Sequence, residues 1–210
     1  MRVDPNGMLD LDPYFDSETG EFLGDGGTEE IRFISKDDWD QGNLDNYGTH
    51  GADVSDAAAE NVMRYYGNQT DNPIDFEYDM NISNGDDYLS TDYIDGKVTV
   101  NFDKSTIGGS IRNSSDAINL HEHETYSHGN NWIKNGSYDR NKDFWNWEKQ
   151  AVSHQINSSS WKNTSVNWKA HIYKAYGKYE WIVPINQQPG YFPGIKINPM
   201  TYEKYFEFHH

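Results

Sequence analysis

The stretch Ser114-Ser115-Asp116-Ala117-Ile118-Asn119-Leu120-His121-Glu122-His123-Glu124-Thr125-Tyr126-Ser127-His128-Gly129 runs from a helix start signal into the densest group of titratable side chains in the chain. Ser114 to Asp116 supply capping oxygens, Ile118 and Leu120 continue an apolar face, and Gly129 is a natural helix stop. Three His and two Glu fall within residues 121–128. A solvated polar helix face would explain scattered histidines. The density favours a metal site.

The common zinc-hydrolase pattern HExxH places two His four residues apart on one helix face, with the intervening Glu activating a water. It is absent here: Thr125 stands four residues after His121, and Ser127 four after His123. On a regular helix His123 and His128 diverge by about 140°, so they share an ion only if the turn between them is widened, as in a π-bulge. Alternatively His121, Glu124 and His128 lie within about 60° on an undistorted helix, with Glu122 left as the base. Spacing ranks the two arrangements equally.

One helix rarely surrounds an ion, so a further ligand is expected from another element. Glu148, in Trp147-Glu148-Lys149-Gln150-Ala151, stands 20 residues after His128. That separation and the E-x-x-A context are those in which one class of zinc peptidases supplies its glutamate; pairing with Lys149 is the plain alternative. Gln155 lies two turns further on the same face and is expected to line the pocket. Tyr126 is a candidate oxyanion donor, although core packing is the commoner role of a tyrosine. His50 and His171 are isolated and read as structural.

Outward from this segment, the coarse pattern is α+β: a small antiparallel sheet with about four helices, the His motif riding on a zincin-like helix. Residues 1–50 are dense in Asp, Gly and Asn. They read as a leader with one hairpin around Asp25-Gly26-Gly27 and a short strand at Glu30 to Ile34. Ser55 caps a helix through Tyr66, with Ala59, Val62, Met63 and Tyr66 at helical spacing. Residues 74–80 and 97–102 alternate as strands, with turns at Gly85 and Gly96, and residues 107–111 read as a turn and strand edge. Asp143 is expected to cap a helix from Phe144 to about Ile156. Thr164-Ser165 would cap another, striped by Trp168, Ile172, Ala175 and Tyr176, and residues 179–183 would be a closing strand.

With 210 residues the chain can build one domain with a substantial core. Aromatic residues make up 15%, so large rings rather than aliphatic side chains fill it. A formal charge of −17 repels phosphate backbones, arguing against nucleic acid and suiting a basic partner. Cysteine is absent, so any zinc must be held by His and carboxylate. No membrane span and no signal peptide are expected, so a secreted form would travel as part of something larger. Residues 207–210, ending in His209-His210, read as a tag remnant.

Two segments carry a family resemblance. Asp4-Pro5-Asn6-Gly7-Met8, then DPYFDSETGEFLGDGG (12–27) and IRFISKDDWDQ (31–41), resemble the junction at which the core of Bacteroidetes rearrangement-hotspot (Rhs) repeat proteins gives way to a variable C-terminal toxin. The second half is similar to toxin domains carrying H-E-x-Y-[SG]-H-G, then A-x-x-x-Q, a Trp and a Thr-rich cap. Here these are His123-Glu124, Tyr126-Ser127-His128-Gly129, Ala151 and Gln155, Trp161, and Thr164-Ser165. The resemblance implies residues 51–206 as a toxin domain of zinc-peptidase type, released into a target cell by a secretion system and neutralised by a cognate immunity protein. It implies His123, His128 and Glu148 as ligands of one zinc ion, Glu124 as the base, and His121 as a substrate-side residue. The substrate would be protein or cell-wall peptide of a competitor.

Two rival functions have their own residues. A metal-independent cell-wall glycan hydrolase would pair Glu122 or Glu124 with Glu148 as acid and base. A non-catalytic carbohydrate- or surface-binding module would use Trp132, Trp145 and Trp147 as a platform.

Overall fold

The computed structural model describes residues 13–26, 30–79, 89–136 and 140–176. The chain divides into two compact units, 1–168 and 169–210. The architecture below is that of the first.

The architecture is α+β, as expected, but with two small mixed sheets in place of one antiparallel sheet. In the first, β1 (Pro13–Asp16) lies between β2 (Phe22–Asp25), antiparallel to it, and β3 (Arg32–Ile34), parallel to it. A short helix, α1 (Lys36–Gln41), follows, capped by Ser35. Of the segment expected as a leader, residues 13–26 and 30–50 are therefore folded. The reason is aromatic: Phe15 is fully buried and meets Tyr65 and Tyr66 edge-on, at centroid distances of 5.2 and 5.8 Å. Those two tyrosines belong to α2 (Asp56–Gly67), which buries Ala58, Ala59, Val62, Met63 and Tyr66 on one face. The Ser55 hydroxyl caps α2 at Ala58 N and also donates to Glu18 O, tying the helix start to the first sheet.

The second sheet has the order β4-β6-β5. Strand β5 (Leu89–Ile94) and β6 (Lys97–Phe102) form an antiparallel hairpin turning at Asp95-Gly96, and β4 (Glu77–Asp79) pairs parallel to β6. The sequence pattern had located β4 and β6 but not β5. Residues 81–88, with the turn expected at Gly85, lie outside the described residues, as do 1–12, 179–183 and 207–210. Residues 107–111, read as a turn and strand edge, close in an isolated bridge between Ile107 and Ile111.

The motif helix begins one residue earlier than its predicted cap: the Asn113 side chain accepts from Asp116 N and starts α3 (Ser114–His121). A π-helical segment, Glu122–Gly129, continues directly from it and leads into α4 (Asn130–Asn135). Gly129 is therefore not the stop. A Cβ there would run into Ile74 Cδ1 and Val98 Cγ1, so its role is close approach of helix to sheet. The stop is Gly136, left-handed at φ 64°, whose N–H donates to Trp132 O.

Helix α5 (Arg140–Asn157) starts before the predicted Asp143 cap, and packs along the π segment with Trp147, Ala151, Val152 and Ile156 buried. In α6 (Val166–Tyr176) the Ser165 hydroxyl accepts from Trp168 N, as a cap should. Asp116, wholly buried in α3, accepts from both Ser165 N and Oγ. Among the described residues no helix is long and apolar enough to cross a membrane.

Candidate metal centre

The π segment decides which histidines meet. Its hydrogen bonds span five residues, so side chains five apart rise on the same side. His123 and His128 accordingly stand together, ring centroids 5.0 Å apart and planes at 73°. Helix α5 presents Glu148 to both: its Oε1 lies 3.2 Å from His128 Nε2 and its Oε2 3.5 Å from His123 Nε2. Donor atoms of all three residues fall within 4.8 Å of one another, and the group could hold a metal ion. On a tetrahedral ion with bonds of about 2.0–2.1 Å, neighbouring ligand atoms sit about 3.3 Å apart. The two separations are close to that value but run to different oxygens of Glu148, so a single oxygen serving both rings needs a small turn of the carboxylate. Glu148 Oε2 is buried without a hydrogen-bond partner among the described residues. A cation at this point would satisfy it.

The electrostatics follow from crowding donors in a dry place. Burial disfavours a charged His123, but Glu148 and Glu124 beside it and Gln155 on its other nitrogen outweigh this and raise its pKa. Burial also works against the Glu148 carboxylate, yet the rings of His123 and His128 hold it well below the usual range. Glu124 is pushed up by burial, with His123 and His128 pulling the other way.

Glu124 lies beside the group rather than in it. Its Oε1 is 3.9 Å from His123 Nε2, while its Oε2 accepts from Thr91 Oγ1 at 3.2 Å. One oxygen is thus tethered to β5 and the other faces the site. Thr91 is anchored in turn, its carbonyl accepting from Trp132 Nε1 at 3.3 Å. Trp132 meets Trp147 edge-on at 5.4 Å and stacks parallel on Tyr93 at 6.0 Å. Trp132 and Trp147 thus pack on each other as a wall beside Glu148 and Thr91. The side chain of Trp145 lies outside the described residues.

Other expected site residues go elsewhere. His121 is completely buried, bonding Thr125 Oγ1 at 2.8 Å through Nδ1 and the Tyr78 hydroxyl at 3.3 Å through Nε2. Burial lowers its pKa to about 3, as befits a neutral core imidazole. It is not a substrate-side residue, and the alternative triad of His121, Glu124 and His128 does not form. Glu122 is equally buried, accepting from Asp71 N at 2.6 Å and pairing with His154. It is not placed as a base. The Tyr126 ring packs tilted against His154, centroids 4.0 Å apart. Gln155 is fully buried behind His123, with Oε1 3.2 Å from its Nδ1, so it backs that ring instead of lining a pocket.

Thr91 and Asn119 escaped the sequence reading. Thr91 sits on the strand whose polar alternation was not recognised. Asn119 left one signal, a polar residue between Ile118 and Leu120 on an apolar helix.

No protein-family model, curated protein or solved structure matches the chain.

Proposed function

We propose that the chain is a zinc-dependent hydrolase of peptidase type, a toxin domain delivered to a competitor cell, with protein or cell-wall peptide as substrate. The observation that carries this reading is the convergence of His123, His128 and Glu148 across a π-helical turn, beside a tethered carboxylate. Two imidazoles and one carboxylate, with no thiolate in the chain, are a donor set that suits zinc and leaves a fourth position open. A zinc ion there supplies Lewis acidity, bringing the pKa of a water to about 7.

Within that chemistry the residues divide the work. His123, His128 and Glu148 bind the ion. Glu124 takes the proton of the attacking water at Oε1 and delivers it to the leaving nitrogen as the amide C–N bond breaks, yielding a carboxylic acid and an amine. Thr91 keeps Glu124 aimed during both transfers. The resemblance of residues 4–41 to the Rhs toxin junction supports delivery as part of a larger protein, and with it a cognate immunity protein.

The test is metal content and toxicity of the purified domain. We expect one zinc per chain, lost in His128→Ala, and a Glu124→Gln variant that keeps zinc but is no longer toxic. Absence of stoichiometric zinc, together with undiminished toxicity of Glu124→Gln, would overturn the proposal.

A further inference from the structure

Behind the metal-site residues lies a chain of buried amides whose polarity can be followed from both ends. The indole N–H of Trp168 can only donate, and it points at Asn119 Oδ1 at 2.9 Å. Asn119 Nδ2 must therefore be the donor on the other side, where it reaches Gln155 O, Ser158 Oγ and Ser160 Oγ at 3.0 to 3.1 Å. The backbone carbonyl of Asn119 can only accept, and Gln155 Nε2 reaches it at 3.3 Å. Turning the Gln155 amide over would set two oxygens against each other. Its Oε1 is thus committed to His123 Nδ1, 3.2 Å away. Asn119 and Gln155 are both fully buried, so water does not substitute for these partners.

From this geometry we infer that Gln155 is a positioning residue: it keeps the proton of His123 on Nδ1 and so leaves Nε2, on the side of the metal position, as the ligand atom. The Asn119 backbone carbonyl sets the Gln155 amide, while the Asn119 side chain, oriented by Trp168, holds the Gln155 backbone carbonyl. The inference rests on the metal-site reading: without an ion the Glu148 carboxylate, 3.5 Å from Nε2, competes for the same proton, so the tautomer assigned is that of the metal-bound protein. The same ring turned to the other tautomer would aim an N–H at the ion and lose its ligand atom. Partners of this kind behind metal-bound imidazoles are worth about 10–100-fold in metal affinity.

Two substitutions separate positioning from mere packing. Gln155→Met and Gln155→Glu both lose the donor to Asn119 O, so any loss of stability from that bond is common to the two. Only methionine also loses the acceptor facing His123. Zinc affinity by chelator competition should fall about 10–100-fold in Gln155→Met and stay within a few-fold of the parent in Gln155→Glu. In the zinc-loaded parent protein, two-bond proton–nitrogen spectra of the histidine rings should show His123 protonated at Nδ1. A His123 protonated at Nε2 in that spectrum, or equal zinc affinity in the parent and Gln155→Met, would overturn the inference. Should the parent bind no zinc, the functional proposal and this inference fall together, whereas zinc binding indifferent to Gln155→Met overturns the inference alone.

Discussion

His128 Nε2 stands 3.2 Å from Glu148 Oε1 although the two residues belong to different helices and only the wide turn between His123 and His128 brings both imidazoles to that carboxylate. Among the described residues, the ion-pair partners of this carboxylate are the two rings. Glu148→Gln should therefore lower stability by about 3 kcal/mol, in the range for removing one partner of a buried charge pair. Urea unfolding with chelator present measures it, and an unchanged midpoint would show that the three side chains do not interact as described.

The turn width itself can be tested. An alanine inserted after Ser127 puts His128 six residues from His123, where neither α nor π geometry aligns them. Zinc binding should drop by at least about 100-fold, with far-ultraviolet circular dichroism reporting that the helix persists. Retained affinity in a folded insertion variant would mean that His123 is not a ligand.

Gly129→Ala addresses the contact between the π segment and the second sheet. The new methyl group meets Ile74 and Val98, and overpacking of this sort costs about 1–3 kcal/mol. Chemical denaturation should show that loss, and a neutral result would place the helix further from the sheet.

Acid should destabilise the fold through His121. Its folded pKa, about 3, is below the ordinary 6.5, so the neutral ring favours folding at full strength above pH 6.5. As pH falls from there toward 3, the unfolded chain takes up the proton first, and stability drops by up to about 1.4 kcal/mol per pH unit. His121→Gln should flatten this dependence. A slope identical in the variant would assign the acid sensitivity to other groups.

Thr91→Val removes the hydroxyl that holds Glu124 Oε2 while preserving shape. Zinc content should be unchanged and turnover reduced about tenfold, a modest share of what general acid–base catalysis contributes. Loss of zinc in this variant would mean that Glu124 helps hold the ion.

Much of the helical half was legible from residues. Ser55 and Ser165 cap where they were expected to, and the apolar spacing of Ala59, Val62, Met63 and Tyr66 became the buried face of α2. The strands were harder. β3 was read at Glu30 to Ile34, but β1, with four residues, is too short for alternation to register, and its burial depends on Phe15 meeting α2 from far along the chain. Within the His-rich segment, spacing alone left His121 and His123 equivalent. What separates them is tertiary: His121 falls under Tyr78 and Thr125, His123 beside Glu148. The partners of Gln155 could not be anticipated either, since its amide is oriented by a backbone carbonyl.

Helix-borne ligand pairs are usually sought as residues four apart, a rule that silently assumes one kind of turn. The Glu122–Gly129 segment accommodates an extra residue between its histidines by changing the turn instead of losing the pair. Spacing in such motifs is thus a statement about local winding, and a histidine pair five apart in another chain, with a carboxylate facing it, is grounds to look for a widened turn before the pair is dismissed.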